Sequence, residues 1–112
     1  MSVLSVVKVW GDPAIAADLL EEAATVLDYE SKTQAGFIAG EILVSHNGTK
    51  IVILTEWTDG HLWSQSRYDA RVGKMLEDCV TASTEIEFEV YDRHARFFPT
   101  RKEPSVDSGP GD

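Results

Sequence analysis

Trp57, Trp63 and Tyr68 fall close together in a chain of 112 residues. Side chains of this kind stack on planar aromatic ligands, combining apolar burial with offset ring contact. Glu41 is the polar residue with the most chemical scope. It stands in a strand-forming run, residues 37–45, where period-two alternation puts Phe37, Glu41 and Leu43 on one face. If helices cover that face, the carboxylate is desolvated, its pKa rises, and it becomes a base able to take a proton from an activated carbon or phenol. A salt bridge to Arg67, Arg71 or Lys74 is the competing reading of the same residue.

Other reactive residue types form no constellation. His46, His61 and His94 fall in a turn, at a helix start and past the last strand, with no spacing that gathers them on one metal. His61 alone falls near a cleft mouth, where it is either an acid–base group or a solvated helix-start residue. Cys79 is the single cysteine and neighbours Asp78, so it lacks the positive surroundings that activate a thiolate and reads as packing. Asp69 next to Tyr68 makes only a weak pair, because adjacent helical residues diverge. No GxGxxG, P-loop, GxSxG or HExxH sequence occurs, so no cofactor and no metal site is expected.

The elements that must position these groups follow from pattern. Residues 3–10 (VLSVVKVW) form a continuous β-branched run ended by Gly11. Asp12 caps a helix with Pro13 in its first turn, and Ile15, Leu19, Leu20, Ala23 and Leu27 recur along about four turns. A polar connection at 31–35 leads to strands at 37–45 and 50–57, joined by His46-Asn47-Gly48-Thr49, a hairpin signal. Leu62, Trp63, Ser66, Ala70, Met75, Leu76 and Val80 mark a second helical stretch with a bend expected near Gly73. Residues 85–91 (EIEFEVY) alternate strictly, with Ile86, Phe88 and Val90 on one face and the glutamates, an ordinary solvated set, on the other. The order strand, helix, strand, strand, helix, strand is that of an α+β, ferredoxin-like βαββαβ sandwich. Two helices cover one face of such a sheet, and sheet-to-sheet packing of a homodimer would cover the other.

Residues 1–98 read as one domain and residues 99–112, with three of the four prolines and almost no apolar side chains, as a disordered tail. Acidic residues outnumber basic ones 19 to 10, a formal charge of −9 that repels nucleic acid and anionic membranes. One cysteine excludes a disulfide-stapled secreted scaffold. No apolar run approaches a membrane span and the first ten residues lack a basic signal-peptide region, so the expectation is a soluble, cytoplasmic chain.

Gly36-Phe37 opening the second strand, the third-strand run Ile51-Val52-Ile53-Leu54-Thr55-Glu56-Trp57 and the helix start after Asp59 together resemble the antibiotic biosynthesis monooxygenase superfamily of dimeric α/β barrels, over roughly residues 3–95. The family includes cofactor-independent oxygenases of anthrone or tetracenone rings, haem-degrading enzymes and isomerases. The resemblance implies a substrate cleft between sheet and helices. If Trp57 faces it, so do Thr55, Ile53 and Ile51, while Val52, Leu54 and Glu56 face a partner sheet. Strand two then contributes Phe37, Glu41 and Leu43, and the helices contribute Trp63, Tyr68 and Met75.

The anthrone-oxygenase pattern is matched at Trp57 and, with tryptophan for the usual tyrosine, at Trp63. It is not matched at Ile53, where the family carries asparagine, or at Leu43, where it carries histidine. The haem-degrading pattern meets Ser66 in place of its tryptophan and Leu76 in place of its histidine, which excludes that branch. The function so implied is cofactor-independent monooxygenation of an aromatic polyketide or related polycyclic, anthrone-like compound in secondary metabolism. Trp57 and Trp63 would hold the rings, Tyr68 would hydrogen-bond a carbonyl or phenol, and Glu41 would assist deprotonation. A polyketide cyclase or isomerase, or a non-catalytic dimer binding a small hydrophobic aromatic ligand, are the alternatives, the last favoured by a cleft that is filled.

Overall fold

The computed structural model describes residues 2–100. Its elements are β1 (Val3–Trp10), α1 (Pro13–Thr33), β2 (Phe37–Val44), β3 (Lys50–Trp57), α2 (Gly60–Ser66), α3 (Ala70–Ala82) and β4 (Glu85–Asp92). The strands form one antiparallel sheet in the order β2-β3-β1-β4, the ferredoxin-like arrangement. Of the expected tail, Pro99 and Thr100 are exposed and outside regular structure, and the remainder lies outside the described residues.

α1 starts where Asp12 accepts the Ala14 amide at 2.8 Å, with Pro13 following as the first helical residue. It runs two turns beyond the last apolar residue counted from sequence, absorbing most of the expected polar connection. Its buried stripe is Ala16, Leu19, Ala23, Val26, Leu27 and Glu30, a helical face that ends in a carboxylate; Ile15 is largely exposed instead. The hairpin turns at Gly48, whose φ of 73° suits glycine.

The second helical stretch is two helices rather than one helix bent at Gly73. The chain breaks at Arg67-Tyr68-Asp69, where the amides of all three donate to the carbonyls of Ser64, Gln65 and Ser66, a tightened last turn. Asp69 then restarts the helix by accepting the amides of Arg71 and Val72. A capping aspartate, not a glycine, makes the break. Gly73 continues through α3 in open space, and of the expected helical apolar set Val80 is exposed.

The helices cover one sheet face. Val7 and Val9 of β1 and Ile51 and Ile53 of β3 pack there against the α1 stripe and against Val72, Met75 and Cys79 of α3. Ile86, Phe88 and Val90 lie in register with Val9, Val7 and Ser5 on the same face, as alternation along β4 requires. The opposite face carries Leu4, Val6, Lys8, Val52, Leu54 and Glu56 with the β4 glutamates. Lys8 pairs with Glu89 at 3.3 Å, and Arg93 with Glu56 at 3.0 Å.

Strand β2 departs from simple alternation. Phe37 pairs with Trp57 but Ala39 pairs with Glu56, so Ile38 is an extra residue in a β-bulge. Beyond it the parity reverses: Gly40 and Ile42 face the helices, while Glu41 and Leu43 lie opposite Leu54 and Val52 on the other face.

Candidate functional site

A cavity of about 170 Å³ lies between the helix-covered sheet face and α1, α2 and α3. Ser5 and Val7 of β1, Ile53, Thr55 and Trp57 of β3, Phe88 and Val90 of β4, Leu27 and Glu30 of α1, Trp63 and Ser66 of α2, and Val72, Met75 and Leu76 of α3 line it, with Arg67 at the helix break. The wall is mostly apolar. Of the residues expected to line a cleft, Ile53, Thr55, Trp57, Trp63 and Met75 are there.

Trp57 is 1% exposed. Its indole N–H donates to Thr55 Oγ1 two residues back, at 2.9 Å, so a buried donor and a buried hydroxyl satisfy each other. Phe37 stands behind it, edge to face, with centroids 5.2 Å apart and planes at 83°. Phe37 therefore supports the tryptophan rather than lining the cavity. The chain enters β2 through Gly36, at φ 85°, where an added Cβ would meet Leu62 Cδ1 at 2.6 Å. Trp63 is half-buried on α2, and Ser66 below it donates to the Trp63 carbonyl at 2.6 Å.

One buried carboxyl in the cavity wall is not among the residues the sequence pattern picks out. Glu30, on the last stretch of the α1 stripe, is 4% exposed; its carbonyl accepts the Gln34 amide, but its carboxyl has neither a hydrogen-bond partner nor an ion-pair partner among the described residues. Burial first, and the nearby Asp69 carboxylate second, push its pKa up to about 7. Asp69 itself is held ionised. Tyr29 donates to it at 2.6 Å and Gln34 at 3.2 Å, while its other oxygen caps α3, and the tyrosine bond leads in lowering its pKa. The Arg71 guanidinium stacks 4.5 Å from the Tyr29 ring centroid on the same cluster. The end of α1 and the start of α3 are thus fastened beside Glu30.

Besides Phe37, three expected site residues lie elsewhere, and Ile51, expected on the cleft face of β3, borders a separate small hollow beside Val9 and Leu19 instead. Glu41 is exposed on the opposite sheet face, where it borders a separate hollow of about 230 Å³ with Leu54, Glu56, Arg93 and Arg96. The Ile38 bulge sends it there, and neither Arg67, Arg71 nor Lys74 pairs with it; Lys74 bonds Asp78 at 2.8 Å. Leu43 shares that face, half exposed. Tyr68 is 88% exposed, because the helix break turns it outward beside Gln65 and Gln34 rather than into the cavity. Asp69 pairs with Tyr29, not with Tyr68. Cys79 is buried and its thiol is pushed up to about 11, in keeping with packing. Among the described residues no group of histidine, cysteine and acidic side chains is arranged to hold a metal, and no helix is long and apolar enough to cross a membrane.

No family profile and no curated protein matches the sequence. Solved structures do match by shape. Rv0793 from Mycobacterium tuberculosis superposes with a TM-score of 0.75 at 10% identity, over 86% of this chain and 98% of its own. A candidate antibiotic biosynthesis monooxygenase from Nitrosomonas europaea gives 0.74 at 12% identity over 83% and 90%. A mutant of SnoaB, a cofactor-independent oxygenase from Streptomyces nogalater, gives 0.67 at 18% identity over 85% and 95%. The chain has the fold of the antibiotic biosynthesis monooxygenases. At these identities the likeness concerns the backbone, and the chemistry rests on the cavity described above.

Proposed function

We propose that the chain is a cofactor-independent monooxygenase that deprotonates an electron-rich, anthrone-like ring in the cavity and lets the resulting carbanion react with dioxygen. The observation that carries this is a desolvated carboxyl, Glu30, set into an apolar cavity walled by Trp57 and Trp63. The role first assigned to Glu41 passes to Glu30, whose pKa of about 7 keeps a useful fraction of both protonation states near neutrality. SnoaB, similar in backbone, is a cofactor-independent oxygenase, which supports the class of reaction.

The chemistry balances without an added reductant. Glu30 takes a proton from the ring methylene, the carbanion bonds to dioxygen and passes it two electrons, and the peroxide anion so formed takes the proton back to give a hydroperoxide. Loss of water leaves a carbonyl, so one methylene and one O₂ become one ketone and one H₂O. Trp57, pinned by Thr55 and Phe37, fixes the ring plane, and Ile53 and Met75 exclude water from the carbanion. Two copies of the chain packing open face to open face complete the reading, with Leu4, Val6, Val52 and Leu54 at the contact.

The cavity volume favours one competing reading. An apolar cavity of roughly 150 Å³ takes benzene and drug-sized ligands use about 300 Å³ or more, so about 170 Å³ holds one ring, with further rings projecting past Trp63. A module that only binds a small aromatic compound fits that volume without catalysis. Turnover of a model anthrone by the purified chain, with and without dioxygen, separates the two. Oxygen-dependent conversion to the quinone should fall about 100-fold or more in Glu30→Gln and stay unchanged in Glu41→Gln. Binding without conversion would leave only the module.

A further inference from the structure

Three charged residues border the cavity, Glu30, Arg67 and Glu89, the last from β4, whose glutamates point to the opposite sheet face. Glu89 is already paired with Lys8, and Glu30 is buried among apolar groups. Arg67 is different. It is exposed at the cavity rim and forms no ion pair among the described residues, in a chain where acidic groups outnumber basic ones 19 to 10. Lys8, Lys32, Lys74, Arg93 and Arg96 have carboxylate partners; Lys50 and Arg71 have none among the described residues either, but they lie over the Trp10 and Tyr29 rings and do not line the cavity.

Its position is fixed from both ends. The backbone is held in the break between α2 and α3 by the amide of Arg67 on Ser64 O and by Asp69, which closes the turn and caps α3. The guanidinium lies 5.2 Å from the Trp63 ring centroid, a stacking that leaves its N–H fork free to meet an anion in its own plane. Trp63 faces the cavity, so a ring entering beside it brings its substituents to the fork.

We propose that the cavity selects aromatic anions, compounds whose ring enters between Trp57 and Trp63 and whose carboxylate is clamped by Arg67 at the rim. The inference rests on the cavity being the substrate site and names the class of substrate it takes. A carboxylate at the rim also orients the ring, leaving the ring edge away from the carboxylate as the part that reaches the interior near Glu30. Arg67 is a specificity-determining residue in this scheme, and the pairing is of the bidentate, charge-assisted kind.

Calorimetric titration of the full chain with 3-hydroxy-2-naphthoate and with 2-naphthol, which differ by the carboxylate, tests this. The carboxylate compound should bind about tenfold tighter or more. The preference should collapse to within about twofold in Arg67→Gln and be partly retained in Arg67→Lys, which keeps the charge without the fork. Equal binding of the two compounds by the wild-type chain, or a preference that survives Arg67→Gln, overturns the proposal while leaving the cavity as a ligand site. Binding of neither compound overturns the proposal, and turnover of the anthrone by the same sample then decides the oxygenase reading on its own. Arg67 is exposed, so the variants keep the fold, which circular dichroism of the same samples checks.

Discussion

Along β3 the side chains that face the helices, Ile51, Ile53, Thr55 and Trp57, are 2%, 4%, 8% and 1% exposed, while Val52, Leu54 and Glu56 between them are only half-buried. The paired strand β2 has the same length and a similar apolar content, yet Phe37 and Leu43, six residues apart, face opposite ways. One extra residue, Ile38, makes the difference. A carboxylate on β2 is consequently solvated, whereas one on α1, Glu30, is enclosed. Position relative to the two faces, not residue type, decides which acid can act as a base.

The sharpest way to break this contrast is to remove a large side chain from each face. Trp57→Ala should cost about 3–5 kcal/mol, and Leu43→Ala less than about 1 kcal/mol, both read as urea midpoints; equal losses would mean that the open face is as closely packed as the covered one. Next is the acid on the covered face. Glu30 holds its proton more tightly folded, at about 7, than at its ordinary value of 4.5, so unfolding releases protons between those values. Stability should be highest below about pH 4.5 on this account and decline to about pH 7, by about 3 kcal/mol. Glu30→Gln should abolish that slope in unfolding curves measured across the window.

A smaller loss is expected at the entry to β2. Gly36→Ala places a Cβ at a positive φ and against Leu62, which should cost about 1–3 kcal/mol; a neutral result would show that the turn can relax without disturbing Trp57. The smallest effect belongs to the open-face acid. Glu41→Gln should shift stability by no more than about 0.5 kcal/mol, with the same midpoint at pH 5 and pH 8 relative to wild type.

The comparison also marks what the sequence made legible. β1 and β3 matched their expected bounds because β-branched runs between turn residues leave no alternative, and the Asn47-Gly48 turn fixed β2 as the hairpin partner of β3. That Trp57 shares a face with Thr55, Ile53 and Ile51 was readable from strand alternation. The face of Glu41 was not, since a bulge is a property of two strands in register and leaves no mark in one. Glu30 could have been found: it stands three residues after Leu27 and four after Val26, the next place on a stripe already visible from Leu19 onward. An acid that continues an apolar stripe does not show in apolar periodicity alone. Tyr68 was misplaced with the helix break, where Asp69 was read as helix body although an aspartate before Ala-Arg-Val is also a cap.

The enclosure of Trp57 has an optical consequence. Its indole is dry, rigid and hydrogen-bonded within its own strand, so it should emit at short wavelength and be sheltered from iodide, while Trp10 and Trp63, both half-buried, emit further to the red and are quenched. The chain thus carries an internal reference lamp beside a responsive one, and a molecule entering past Trp63 should dim the red component before the blue.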